Sequence, residues 1–185
     1  MKANKIVLGS ANFGNTYRGI ILSEKDCFDI LEEFEKRGGE LVDTAMDYGN
    51  SLEIIQKYII TKNSKLKILL KIDKYYFESI IDYNNIHAII SRDNNIQQTK
   101  YLNGQSMYYP HELNPNAKIV IIPDSILFLD YAPIIKLHAK LYVRSIFNMS
   151  GIRLSHSQHV DLIDGYVIGV ENKKQLIENM ETYNV

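Results

Sequence analysis

Apolar positions in this chain fall into short continuous runs instead of alternating with polar ones. Lys5-Ile6-Val7-Leu8 ends at Gly9, Leu41-Val42 leads into Asp43-Thr44-Ala45, and Lys67 to Lys71 reads Lys-Ile-Leu-Leu-Lys. Further runs cover Ile86 to Ile90, Gln105 to Tyr108, Ile119 to Ile122, Leu141 to Phe147 and Gly165 to Ile168. Continuous runs bounded by turn residues predict strands covered on both faces, as in a parallel sheet. Between them lie segments of helical period. Ser23 opens one, with Asp26 three residues on as a shorter analogue of the capping box. Cys27, Ile30, Leu31 and Phe34 form its apolar face, and Gly38-Gly39 stops it. A second follows Gly49 with Leu52, Ile55, Tyr58 and Ile59 on one face, and a third runs from Asn172 to Met180 with Leu176, Ile177 and Met180.

Strands alternating with helices imply right-handed βαβ crossovers. Eight such strands predict an α/β fold, a (β/α)8 TIM-type barrel. The chain has 185 residues, whereas such barrels usually take about 250, with ~200 near the floor. Several crossover helices must therefore be shortened or missing. The segment from Arg92 to Asn103 has room for little more than a turn or two of helix, and Glu112 to Lys118 for none. An open doubly wound sheet is the alternative that the length also permits. No Pro/Gly/Ser linker divides the chain, so residues 1–185 are read as a single domain.

Charge changes this picture little. Lys+Arg is 21 against Asp+Glu 22, a net charge of -1, which argues against a nucleic-acid partner and a membrane-binding surface. No apolar run approaches the ~20 residues of a membrane-spanning helix, and the amino terminus lacks the apolar stretch of a signal peptide. The single cysteine, Cys27, excludes an intramolecular disulfide and a multi-cysteine zinc site. The expected compartment is reducing and cytoplasmic.

Candidate chemistry concentrates at Asp43-Thr44-Ala45-Met46-Asp47-Tyr48-Gly49-Asn50-Ser51. An acid at the carboxyl end of a strand, with a tyrosine five residues later, stands where parallel barrels place their sites. The competing reading is a turn-capping aspartate and a packing tyrosine. Lys71 ends the third strand and points either into the barrel mouth or along its rim, where it would be a snorkelling surface lysine. Together the three make a coherent set. A phenol beside an ammonium that a carboxylate holds in place could act as general acid toward a carbonyl oxygen receiving a hydride.

These segments resemble the aldo-keto reductase family across nearly the whole chain. Leu8-Gly9-Ser10-Ala11-Asn12-Phe13-Gly14 is similar to that family's opening strand and loop. Asp43-Thr44-Ala45-x-x-Tyr48-Gly49-x-Ser51 is similar to its most specific motif, and Lys71 falls where the family keeps its strand-end lysine. Ser106 to Leu113 resembles the fifth-strand segment, and Val143-Arg144-Ser145-Ile146-Phe147 with Gly151 the seventh. Ile168-Gly169-Val170 with Gln175-Leu176-x-Glu178-Asn179 resembles the eighth strand and the helix over the cofactor phosphates.

The resemblance implies an NADP- or NAD-dependent reductase of a small-molecule carbonyl: an aldehyde, a ketone or a keto-sugar. Its catalytic residues would be Asp43, Tyr48 and Lys71, with Ser91 as a weak substitute for an oxygen-orienting histidine. Ser91 stands where the family ends its fourth strand with histidine; His87, four residues earlier, reads as a core or bottom-of-barrel histidine. Implied cofactor contacts are Gly9, Asp43, Ser106, Arg144, Gly169, Val170, Gln175 and Asn179, with Lys173 and Lys174 able to compensate for a missing arginine. Ile121 replaces a glutamine usual beneath the nicotinamide, Ser125 an asparagine, and Glu171 lies close to the phosphate position. The loop after the eighth strand and the start of its helix should form an anion site from free backbone N–H groups. The alternative function is a barrel of the same lineage without redox activity: a sugar- or metabolite-binding protein, a partner subunit or a non-redox proton-transfer enzyme. His156 and His159 lack the carboxylate or cysteine partner of a metal site, so no metal is expected. The thin crossovers after strands four and five leave apolar exterior to cover, which predicts a homo-oligomer.

Overall fold

The computed structural model describes residues 5–14, 16, 19, 21–72, 83, 85–92, 101–106, 113–123, 136, 138–145 and 163–183. Eight parallel strands close into a barrel in chain order. They are β1 (Ile6–Gly9), β2 (Leu41–Ala45), β3 (Lys67–Ile72), β4 (Ile86–Ser91), β5 (Leu102–Ser106), β6 (Ile119–Pro123), β7 (Lys140–Arg144) and β8 (Gly165–Gly169). Closure comes from β1 pairing with both β2 and β8. The expected barrel is therefore present, and the open sheet is not.

Residues two apart along a strand share a face, and the core divides accordingly. Val7, Leu69, Ala88, Ile90, Ile119, Ile121, Tyr142 and Val167 fill the barrel interior. Their strand neighbours, among them Ile6, Leu8, Val42, Ile68, Leu70, Val120, Val143 and Ile168, face outward into the larger cluster under the helices. This is why the strands read as unbroken apolar runs. Inside the barrel, burial pushes the Tyr142 phenol up to about 12, with Asp164 adding to the effect.

Among the described residues there are three helices, α1 (Glu24–Lys36), α2 (Ser51–Lys62) and α3 (Lys173–Tyr183). Ser23 caps α1 in a reciprocal capping box: its hydroxyl accepts from the Asp26 N–H, and the Asp26 carboxylate accepts from the Ser23 N–H. Aspartate thus performs the role usual for glutamate. The helix buries Cys27, Ile30, Leu31 and Phe34, and burial pushes the Cys27 thiol up to about 12. It ends where Gly38 turns to φ 82° and Gly39 lies against the Phe34 ring, where a Cβ would stand 2.5 Å from ring carbons. In α2 the expected face, Leu52, Ile55, Tyr58 and Ile59, is buried. Asn172 caps α3, which runs three residues beyond the expected Met180.

Two strand assignments need correction. The fifth strand is Leu102–Ser106, not Gln105 to Tyr108. After Leu102 it carries only polar or small residues, and Gly104 packs under the Ile90 side chain and against the Ile119 backbone, leaving no room for a Cβ. The seventh begins at Lys140 and ends at Arg144, because Ser145 adopts a left-handed φ of 59°. Residues 113–118, which lead into β6, hold a turn closed by the Ala117 N–H on the Asn114 carbonyl and no helix. The segment 93–100 lies outside the described residues, as do Met107 to Glu112, Ser125, Ile146, Phe147, Gly151, His156 and His159.

Candidate active site

Strand register brings the expected residues to one rim. Gly169 of β8 pairs with Gly9 of β1, which pairs with Asp43 of β2. Ala45 pairs with Lys71 of β3, Ile72 with Ser91 of β4, and Ser91 with Gln105 of β5. Ser106 pairs with Ile121, Pro123 with Arg144, and Arg144 with Val167. Apart from Asp43, Ile121 and Val167, which sit mid-strand, these residues stand at or next to the carboxyl ends of their strands, the face on which barrel sites form. Lys71 shares the inward face of β3 with Leu69, so it enters the mouth and is not a rim lysine; it is 6% exposed.

The three candidate catalytic groups meet. The Lys71 Nζ donates to Asp43 Oδ2 at 2.7 Å and to the Tyr48 hydroxyl at 2.8 Å. It also lies 4.8 Å from the centroid of the Tyr48 ring. Burial opposes the Lys71 charge, but the Asp43 carboxylate, the Tyr48 oxygen and both hydrogen bonds outweigh it and hold the ammonium above the usual lysine range. Asp43 is buried; Tyr48 is half-buried, with its ring at the opening.

The frame beneath this trio is a cluster of buried hydroxyls. The Ser10 hydroxyl donates to the Asp43 carbonyl at 3.0 Å and meets the Ser51 hydroxyl at 2.7 Å. Ser51 also donates to the Ser10 carbonyl at 3.1 Å and lies 3.0 Å from Thr44 Oγ1. Ser51 is the first residue of α2, so it ties that helix to the ends of β1 and β2. Ser51→Ala would strand the buried Thr44 hydroxyl, and an unsatisfied buried polar group costs about 1–3 kcal/mol. Denaturant unfolding is expected to show a loss of that size; an unchanged midpoint would refute the bracing role.

A further contact was not legible in the sequence. Arg92, directly after Ser91, forks onto Asp47, directly before Tyr48, at 2.7 and 2.8 Å. The guanidinium holds the Asp47 carboxyl below the usual carboxylate range, with Lys71 adding to the effect. The pair ties the tyrosine loop to the end of β4. Ser91 is buried at that strand end. His87 is at the opposite end of β4, as the bottom-of-barrel reading expects.

A dinucleotide fits this rim at one end better than at the other. Gly169 is exposed, and a Cβ there would meet only the Gly9 oxygen, at 3.8 Å. Asp43 Oδ1, Asn12 Oδ1 and Asn179 Nδ2 are buried without a partner, so the site retains polar capacity for a ligand. The Asn12 Nδ2 group donates to the Val170 carbonyl at 2.9 Å, joining the first loop to the end of β8. The turn from β8 to α3 offers less than expected. The Glu171 N–H is taken by Gln175 Oε1 at 2.7 Å, and the Gln175 N–H by Asn172 Oδ1 at 2.9 Å. The expected anion site is therefore partly capped by its own side chains. Lys173 reaches Glu33 at 3.2 Å and Lys174 reaches Glu178 at 3.7 Å, so both cations of the turn already face carboxylates. Among the described residues, no group of three or more His, Cys, Asp or Glu could hold a metal, and no helix is long and apolar enough to cross a membrane.

The model of the aldo/keto reductase family matches residues 5–144. Among solved structures, a putative aldo-keto reductase from Pseudomonas aeruginosa superposes with a TM-score of 0.73 at 14% identity, covering 97% of this chain and 89% of that one. An aldo-keto reductase from Klebsiella pneumoniae in complex with NADPH gives 0.71 at 10% identity, covering 98% and 86%. The glycerol dehydrogenase from Gluconobacter oxydans gives 0.71 at 11% identity, covering 97% and 86%. No curated protein matches the sequence.

Proposed function

The chain belongs to the aldo-keto reductase family, and from that premise we propose that it reduces the carbonyl group of an aldehyde, ketone or keto-sugar with NADH or NADPH. The observation that carries this reading is the Asp43–Lys71–Tyr48 arrangement at the barrel mouth. The reduced nicotinamide supplies a hydride to the carbonyl carbon when bound. Tyr48 gives its hydroxyl proton to the carbonyl oxygen, as a general acid placed at the opening must. The charge left on the phenol oxygen falls 2.8 Å from the Lys71 ammonium, which donates to it. Asp43 keeps that ammonium charged inside the barrel, where burial alone would neutralise it. Ser91 is the polar group at the end of β4 and orients the carbonyl more weakly than a histidine would.

On the cofactor side, Asp43, Gly9, Gly169, Val170 and Asn179 would hold the dinucleotide, with Ser106 and Arg144 on the far rim. Glu171 repels a 2'-phosphate, and Lys173 and Lys174 would have to leave Glu33 and Glu178 to neutralise one. A charge-assisted contact typically contributes about 1.5–3 kcal/mol, roughly ten- to a hundred-fold in affinity. Binding is therefore weak, with little preference for NADPH over NADH.

The capped turn between β8 and α3 also favours a second reading, a barrel of this family that binds a metabolite or moves protons without redox chemistry. Carbonyl-dependent oxidation of NADH and NADPH across aldehydes, ketones and keto-sugars separates the two. The reductase reading expects consumption that requires the carbonyl and runs with either dinucleotide. No consumption with any pair would leave the second reading in its place.

A further inference from the structure

The opposite end of the barrel carries a second concentration of charge that the reductase chemistry does not use. Lys5 precedes β1, while Lys67 opens β3 and Lys140 opens β7. By strand alternation they share the inward face with Val7, Leu69 and Tyr142 of the interior cluster. An open cavity of about 390 Å³ lies at this end beside the starts of β3 and β4, lined by Ser64, Lys65, Lys67, Asn85, Ile86 and His87.

Three features distinguish this cavity from an ordinary solvated surface. First, among the described residues no carboxylate pairs with the two lysines of its wall, Lys65 and Lys67, or with Lys5 and Lys140 at the same end of the barrel. Lys57, Lys62, Lys71 and Lys173 all pair with carboxylates. Second, His87 occupies a bulge. Ile68 pairs with Ile86 and Leu69 with Ala88, so His87 is the extra residue between them. A bulge re-aims a side chain out of the normal alternation. Third, the wall is braced. Asn85 turns at a left-handed φ of 60°, and its Nδ2 donates to the carbonyls of Ser64 and Leu66 at 3.2 and 2.9 Å.

We propose that this cavity binds a phosphate dianion through Lys65, Lys67 and His87, with Lys140 contributing charge from across the barrel. The ligand is inorganic phosphate or the phosphate group of a small metabolite. Phosphate is the matching chemistry because it takes several charge-assisted donors at once. The group that responds is His87. Its own burial, then the charges of Lys67 and Lys140, hold its imidazole below the usual histidine range. A bound dianion reverses that balance and lets the imidazole take a proton, adding a further donor. The site is distinct from the mouth: Lys67 and Lys71 are four residues apart on β3, about 13 Å at the rise of a strand.

The test is an NMR titration of the His87 imidazole in the full chain, assigned by its loss in His87→Asn. Inorganic phosphate is added while sodium chloride holds ionic strength constant. A saturating shift at millimolar phosphate is expected, with the His87 midpoint moving to higher pH. Lys67→Gln and Lys140→Gln, both of exposed lysines, should each weaken phosphate about ten-fold or more while the spectrum stays folded. A non-saturating response that chloride reproduces would overturn the proposal, as would full affinity retained in both lysine variants. Tighter binding of a single-stranded oligonucleotide than of any small phosphate would also overturn it, by assigning the basic ring to nucleic acid. Neither dinucleotide nor carbonyl is present, so the outcome is independent of the reductase reading.

Discussion

Tyr48→Phe should lower turnover by about 10²- to 10⁴-fold, the range that a positioned general acid contributes, while leaving the fold intact. The ring is half-buried and would be kept. The hydroxyl's partner is the Lys71 ammonium at 2.8 Å, and that ammonium retains Asp43 at 2.7 Å. The substitution therefore removes the proton and little else. Carbonyl-dependent rates measured with either dinucleotide, alongside thermal unfolding, read both halves of this expectation. A variant that turns over at the wild-type rate would show that the proton comes from another group. A variant that fails to fold would show that the tyrosine is structural.

Asp43→Asn should be the most damaging single change to stability. It leaves a buried ammonium facing a neutral amide, and breaking a buried ion pair in this way typically costs about 3–5 kcal/mol. The pH dependence follows from the direction of the Lys71 shift. In the wild type the lysine is held above its usual range. The stability it contributes is fully present below the unfolded value of about 10.4 and is lost as pH rises through the higher folded value. In the variant the carboxylate no longer counters burial and only the Tyr48 oxygen does, so the lysine falls, and the folded state gains stability as pH rises and the amine becomes neutral. The gap between the two proteins should be widest near neutrality and narrow above pH ~10. Denaturant midpoints from neutral to alkaline pH test this. A constant gap would mean that the Lys71 charge is not what Asp43 holds.

The parts of this molecule that follow from local periodicity were legible in the sequence. The unbroken runs at β3 and β6 reflect burial on both faces, since Ile68 and Leu70 pack outward while Leu69 packs inward. The same alternation puts Lys71 inside, which decides between the mouth and the rim, while Tyr48 reaches it from the loop after β2. The fifth strand was misplaced because Asn103, Gly104 and Gln105 break the apolar pattern. Gly104 is there to admit Ile90, and Gln105 accepts from the Asn114 N–H at 2.7 Å to close the next turn. These are tertiary demands with no local signature. The Asp47–Arg92 fork joins residues 45 positions apart, and the bulge at His87 is visible only in the pairing of β3 with β4. The anion site expected after β8 is partly closed for a different reason. Asn172 caps the helix, as its position suggests, and Gln175 was read only for its missing charge, whereas its side chain takes the Glu171 N–H.

Calorimetric titration with NADH and with NADPH tests the central claim most directly, that the barrel mouth is a working dinucleotide and carbonyl site with a weakened adenosine end. The expected result is that both bind, each weaker than micromolar, with affinities within about ten-fold of each other, one charge-assisted contact's worth. If neither binds at millimolar concentration, the reductase account is contradicted at its foundation.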